Sequence, residues 1–175
     1  MIYLQKRSSS AANAAKHRIY FDSPIGRFRA EDDGKALTCL GLDNGSEKEF
    51  ELESELLLKT KAELGEYFDG RRKEFDLPLN LSGTDFELKV WNALLKIPYG
   101  EIRSYADIAA EIGKPKACRA VGGANSKNPI MLIVPCHRVI GKNGAYVGYS
   151  AGENAKAGIW IKEFLLKLEQ ARLAL

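Results

Sequence analysis

The sequence predicts an α+β protein built in two parts. Residues 1–82 form a small antiparallel sheet with a helix, and residues 83–175 form a mainly helical domain containing a helix-turn-helix. Three observations carry this. Strand-length segments separated by glycine-containing turns fill residues 17–43. From Thr84 onward the apolar residues recur at helical spacing. Between the two lies Arg71–Gly83, of mixed charge with Pro78, Ser82 and Gly83, which reads as a linker.

Met1–Lys16 carries a Ser/Ala run and basic residues and is predicted to be a loose arm. A strand over His17–Asp22 then meets Ser23-Pro24-Ile25-Gly26, a β-turn with proline at its second position. Arg27–Glu31 leads into Asp32-Asp33-Gly34, and Ala36–Leu42 ends at Asp43-Asn44-Gly45. Glu53–Phe68 is helical, with Leu56, Leu57, Ala62, Leu64 and Phe68 at its apolar positions and Asp69-Gly70 as its stop. Thr84 with Glu87 makes a capping box. Phe86, Val90, Leu94 and Ile97 form one stripe that runs to Pro98-Tyr99-Gly100.

A helix pair follows. Ser104 caps a helix whose Tyr105, Ile108, Ala109 and Ile112 fall at i, i+3, i+4 and i+7, and Gly113 closes it. Pro115 suits the first turn of the next helix. That helix turns Ala117, Ala120, Val121 and Ala124 inward and displays Lys116, Arg119, Gly122, Gly123 and Ser126 on the opposite face. Two glycines cost about 1 kcal/mol each against alanine. A surface that needs close backbone approach would explain them. A helical hairpin with no nucleic-acid role is the bland alternative.

With 175 residues, 45% hydrophobic and 28% charged, the chain is an ordinary globular protein of one or two domains. No stretch approaches the ~20 apolar residues of a membrane span, and the N-terminus lacks the apolar centre of a signal peptide. Three separated cysteines, Cys39, Cys118 and Cys136, argue against a disulfide framework and for the reducing cytoplasm (or the nucleus in a eukaryote). Two histidines and no C-x-x-C pair give no zinc-site spacing, so no metal is expected. Residues 1–80 carry 13 Lys and Arg against 15 Asp and Glu, whereas residues 81–175 carry 13 against 8. The basic half, the one suited to a polyanion, also holds the run Ile133-Val134-Pro135-Cys136-His137-Arg138-Val139. There a cysteine sits between a helix-blocking proline and a possible base, fixed on rigid structure as a nucleophile would be.

Pro135-Cys136-His137-Arg138-Val139 resembles the acceptor motif of the O6-alkylguanine-DNA alkyltransferases. The resemblance extends from Gly83 to Glu163 through Pro98-Tyr99-Gly100, Ser104-Tyr105, Arg119-Ala120-Val121-Gly122, Asn128-Pro129 and Gly148-Tyr149-Ser150, in the family's order. It implies a single-turnover DNA repair protein without a cofactor. Such a protein moves the alkyl group from O6 of guanine, with O4-alkylthymine as a second candidate substrate, irreversibly to Cys136. A free thiol near pKa ~8.5 is mostly protonated at neutral pH. By the resemblance His137 is the base, acting through a bridging water because it adjoins Cys136, and Glu163 is the carboxylate that orients it. Read from the residues alone, Glu163 could equally pair with Lys167 at i+4.

The resemblance further implies that the target base is flipped out of the duplex. Arg119 fills the vacated space, Tyr105 aids rotation and donates toward the base, and Asn128 fixes the turn into the acceptor segment. Val139, Tyr149 and Ser150 line the base pocket. The partner is double-stranded DNA, read from the minor groove with little sequence specificity, by a monomer. Relatives commonly carry a Leu-Leu pair before the final carboxylate, where this chain has Ile159-Trp160. Three other classes compete: a non-catalytic binder of alkylated DNA, a helix-turn-helix regulator and a Cys-His hydrolase. Cys136 argues against the first, the absence of an effector domain against the second, and the lack of a second well-placed histidine against the third.

Overall fold

In a computed structural model, described over residues 1–6, 15–43, 45, 51–141, 144–146 and 155–170, the chain divides into two compact units, Met1–Gly83 and Thr84–Leu175. The first holds strands β1 (Ile2–Lys6), β2 (His17–Ser23), β3 (Gly26–Asp32) and β4 (Leu37–Leu42), helix α1 (Glu55–Phe68) and strand β5 (Leu79–Gly83). The second holds α2 (Asp85–Leu94), β6 (Arg103–Ser104), α3 (Tyr105–Glu111), α4 (Cys118–Ser126), a 3-10 turn over Cys136–Arg138, β7 (Val139–Ile140) and α5 (Ala155–Gln170). The architecture is α+β.

In the first unit the sheet runs in the order β1-β5-β4-β3-β2. β2, β3 and β4 are antiparallel, with Ser23 opposite Gly26 across the first turn. Gly26 has φ +126°, a conformation closed to most L residues, and Ser23 Oγ donates to its carbonyl at 2.7 Å. β5, however, is parallel to both β1 and β4, so the sheet is mixed rather than antiparallel. The parallel step from β4 to β5 needs a crossover, which α1 supplies. Ser54 caps α1 by accepting from Leu57 N, and Leu57, Leu64 and Tyr67 are sealed beneath it.

Two segments read as irregular are therefore strands. The predicted arm begins with β1: the Ser/Ala run dominated that reading, yet Ile2-Tyr3-Leu4 precedes it and pairs from Ile2 opposite Leu79 to Lys6 opposite Gly83. The predicted linker contains β5. A strand between two neighbours buries both faces, and Leu79, Asn80 and Leu81 are all buried. Pro78, Ser82 and Gly83 give the segment its linker character, yet Asn80 Nδ2 donates to Asp33 Oδ2 at 2.7 Å inside the sheet.

The second unit opens with the capping box: Glu87 N donates to Thr84 Oγ1 at 3.2 Å and Thr84 N to Glu87 Oε2 at 2.9 Å. α2, α3 and α4 pack against one another around Val90, Trp91, Leu94, Ile108 and Val121, all fully buried. Ser104 caps α3 in a second box with Asp107, and Gly113 ends it at φ +71°. α4 begins at Cys118, later than the placement of Pro115 in its first turn implies, and Ala120 is exposed rather than inward. α4 has no side-chain N-cap. It is held instead by packing and by Trp91, whose Nε1 donates to Ala124 O at 2.9 Å. Among the described residues no helix is long and apolar enough to cross a membrane.

Leu81→Ala tests the strand assignment. Truncating a buried leucine should cost about 2–5 kcal/mol in urea unfolding; a cost near zero would return residues 79–83 to a linker.

Candidate active site and nucleic-acid interface

Cys136 opens the 3-10 turn and is 5% exposed. The backbone around it is pinned closely. Cys136 N donates to Val134 O at 2.8 Å, and Val134 O also accepts from Asn128 Nδ2 at 2.7 Å. Asn128 Oδ1 in turn accepts from Ile130 N at 3.0 Å, so this one side chain closes the turn out of α4. Leu132, within that turn, has φ +70°, the one positive φ on a non-glycine described residue. Strain of this kind costs about 1–3 kcal/mol and persists only where neighbours enforce it.

Downstream, β7 pairs with β6 in parallel, Arg103 opposite Val139 and Ser104 opposite Ile140. That short ladder brings Tyr105, the first residue of α3, to the acceptor turn. Burial, followed by the negative charge of Cys136, pushes the Tyr105 hydroxyl up to about 12. Tyr105 therefore stays a proton donor. Lys162, from α5, is fully buried with Nζ donating to Val139 O at 2.5 Å and lying 5.8 Å from the Tyr105 ring centroid. Burial pulls its ammonium down to about 8, against the opposing pull of the Cys136 charge.

His137 is fully buried, and its Nε2 lies 2.8 Å from Glu169 Oε1. Arg138 Nε donates to Glu169 Oε2 at 2.9 Å, Arg138 Nη2 to Oε1 at 2.9 Å, and Gly100 N to Oε2 at 3.1 Å. Burial alone would raise the Glu169 carboxyl. The hydrogen bond of His137, with the hydrogen bonds and charge of Arg138, outweighs burial and holds it well below the usual carboxylate range. Burial pulls the His137 imidazole down, against the hydrogen bond and charge of Glu169, so it is neutral. An ionised carboxylate can only accept, so the His137 proton sits on Nε2 and its lone pair on Nδ1. Nδ1 is buried with no hydrogen-bonding partner among the described residues.

The carboxylate on His137 is therefore Glu169, not Glu163. Glu163 is 41% exposed and pairs with Lys167 at 2.9 Å, the i+4 alternative left open by its spacing. Helical geometry gives the reason. The buried face of α5 is Gly158, Ile161, Lys162, Leu165, Leu166 and Glu169, one stripe at 3.6-residue spacing. Glu163 lies six residues from Glu169, about 120° away around the helix. Ile159 and Trp160 are exposed, and Trp160 packs at a tilt against Phe164 outside that stripe, with ring centroids 5.6 Å apart.

On α4, Arg119, Gly123 and Ser126 are exposed, Lys116 is exposed just before it, and Gly122 is half-buried. A Cβ added at Gly123 would meet nothing within 4 Å, and one at Gly122 only Tyr105 Cε1 at 3.8 Å. The protein's own packing does not require either glycine, so the need for a bare backbone lies outside this unit's core. Val139 is fully buried with its carbonyl on Lys162. Tyr149 and Ser150, assigned by the sequence to the base pocket, lie outside the described residues. Among the described residues no group of three or more His, Cys, Asp or Glu is arranged to hold a metal ion.

Comparison with known proteins meets this geometry. Residues 85–171 match the 6-O-methylguanine DNA methyltransferase DNA-binding domain, and residues 16–81 match the ribonuclease-like domain of the same family. A methylated-DNA--protein-cysteine methyltransferase of Methanosarcina acetivorans is 47% identical over 154 residues, covering 85% of this chain and 95% of the relative. This chain belongs to the methylated-DNA--protein-cysteine methyltransferase family. The O6-methylguanine methyltransferase of Mycobacterium tuberculosis superposes with a TM-score of 0.79 at 44% identity, over 89% of this chain and 93% of that one. A Mycobacterium tuberculosis structure in complex with DNA matches equally well, at 45% identity and a TM-score of 0.79, over 89% and 94%.

Sequence reasoning missed Glu169, Lys162 and the anchoring role of Arg138. The signal for Glu169 was present. A Leu165-Leu166 pair precedes the carboxylate, and the Ile161–Leu165–Glu169 spacing carries the buried face through it. Lys162 interrupts the apolar pattern of that face, and nothing local in the sequence marks it as buried.

Removing the Glu169 carboxylate strands Arg138, so Glu169→Ala should cost about 3–5 kcal/mol, whereas Glu163→Ala should cost under about 0.5 kcal/mol. Acid should destabilise the wild type in two stages. A buried neutral His137 loses ground to the protonated unfolded chain below pH ~6.5, and Glu169 does so below pH ~4.5, its contribution falling as pH drops toward its depressed folded value. Urea unfolding between pH 3 and pH 8 checks both, and Glu169→Gln should shrink the lower stage to what the lowered carboxyls of Asp33, Glu87 and Asp107 contribute.

Proposed function

We propose that this chain repairs DNA by accepting the alkyl group of O6-alkylguanine on Cys136, once per molecule. The observation that carries the reading is the Glu169–His137 hydrogen bond, which leaves the basic Nδ1 of a neutral imidazole buried in the same turn as the thiol. The membership of the family and the likeness to a DNA-bound relative support it.

In this scheme Nδ1 takes the Cys136 proton through a water molecule, and Glu169 steadies the resulting imidazolium. The Lys162 ammonium favours the thiolate. Sγ attacks the carbon attached to O6, the S–C bond forms as the O6–C bond breaks, and the electron pair passes to the guanine. Tyr105, held protonated, donates a hydrogen bond to the departing base so that it leaves closer to neutral. The thioether has no route back to a thiol, so the reaction is stoichiometric. α4 approaches the DNA along its Gly122–Gly123 surface, from the minor groove, as a monomer with little sequence preference. Arg119 occupies the stack from which the base is flipped. Three cysteines, none in a disulfide, suit the reducing cytoplasm.

Incubation with a duplex containing O6-methylguanine should add the mass of one methyl group to the Cys136 peptide, and Cys136→Ala should abolish repair; binding without mass gain would instead support a non-catalytic lesion binder. Arg119→Ala should slow transfer from duplex DNA at least tenfold while leaving transfer from the free base O6-benzylguanine within about twofold. Equal losses on both substrates would remove the flipping role.

A further inference from the structure

In the Thr84–Leu175 unit two buried side-chain atoms have no hydrogen-bonding partner among the described residues: His137 Nδ1, used above, and Asn125 Oδ1. Asn125 lies in the last turn of α4 and is 2% exposed. Its Nδ2 donates to the carbonyl of Cys136 at 3.3 Å. That carbonyl already accepts from Val139 N, which closes the 3-10 turn. Asn125 is thus a second donor on the backbone of the acceptor residue itself, delivered from the helix that faces DNA.

Stability does not explain an asparagine here. A buried amide that makes one hydrogen bond and leaves its oxygen unpartnered gains little over an apolar side chain of its size. The bond it does make is specific in place. Asn128 holds the carbonyl of Val134 and Asn125 that of Cys136. The two amides grip the chain on either side of Pro135, which has no N–H with which to anchor itself. An alkyl transfer depends on the line from Sγ through carbon to the leaving oxygen, and small displacements of the nucleophile cost rate steeply.

We propose that Asn125 is a positioning residue for alkyl transfer: from the DNA-facing helix it fixes the Cys136 carbonyl, and so aligns the thiol with a base delivered by that same helix. This rests on the reading of Cys136 as acceptor and α4 as the DNA-facing helix. A positioning residue changes the chemical step more than binding, and leaves the intrinsic reactivity of the thiol alone.

The test uses the full chain and a duplex containing O6-methylguanine, with protein in saturating excess. Asn125→Ala should lower the single-turnover transfer rate at least tenfold. Affinity for unmodified duplex should stay within about twofold, and so should iodoacetamide labelling of the Cys136 peptide, which needs no aligned base. Asn125→Asp supplies a second reading. A protonated carboxyl can donate to the Cys136 carbonyl and an ionised one cannot, and burial raises the carboxyl pKa. The rate of this variant relative to wild type should therefore be several-fold higher at pH 5.5 than at pH 8. A transfer rate for Asn125→Ala within twofold of wild type overturns the proposal. So does a rate loss matched by an equal loss of iodoacetamide labelling, a pH-flat ratio for Asn125→Asp, or failure of both variants to fold. If wild type itself transfers no methyl group, it is the assignment of Cys136 that fails.

Discussion

One buried carboxylate organises the second unit. Glu169 gathers the imidazole of His137, the guanidinium of Arg138 and the backbone N–H of Gly100 on two oxygens. Arg138 reaches on to the Ile97 carbonyl at 2.7 Å, with its guanidinium 5.8 Å from the Tyr99 ring centroid. The end of α5, the acceptor turn and the Pro98–Gly100 turn therefore share a single charged node. Burying an ion pair seldom stabilises a protein over an apolar substitute, so the return lies elsewhere. The hydrogen bond of His137 and the bidentate contact with Arg138 keep Glu169 ionised, and an ionised Glu169 admits only one tautomer of His137. Charge in the core thus decides which imidazole nitrogen can act as a base.

The acceptor turn extends the same economy to the backbone. Cys136 is held through its N–H, through its carbonyl and by the β7 ladder that starts one residue after the turn. Leu132 is kept at φ +70° while buried among these contacts. Its strain is tolerated because Ile130, Val134 and Asn128 leave the chain no alternative path. A nucleophile that reacts once gains from this arrangement, since it must be aligned for a single displacement and never reset.

Much of this was legible in the sequence where chemistry is local. Thr84 with Glu87, Ser104 as the cap of α3, and the turn at Ser23–Gly26 depend on residues close in sequence, and each forms as spacing requires. Pro135-Cys136-His137-Arg138 marks its own importance. What was not legible depends on partners distant in sequence. The segment holding Pro78, Ser82 and Gly83 reads as a linker, whereas its Asn80 is satisfied by Asp33, 47 residues away. Glu163 and Glu169 differ only in which face of α5 they occupy. That face is fixed by Ile161, Leu165 and Leu166, while the exposed Ile159-Trp160 pair imitates it on the wrong side of the helix.

α4 shows how the two halves of the chemistry become one body. Two glycines cost it about 2 kcal/mol of intrinsic stability together, and no side chain caps its start. It would not persist alone at nine residues. What holds it is the Val121 contact with the core, the Trp91 bond to Ala124 and the Asn125 bond to Cys136. The last of these is the acceptor itself. A helix that keeps its outer surface bare must take its stability from its inner surface. Here that inner surface includes Cys136, so ordering α4 and ordering the thiol are a single structural event.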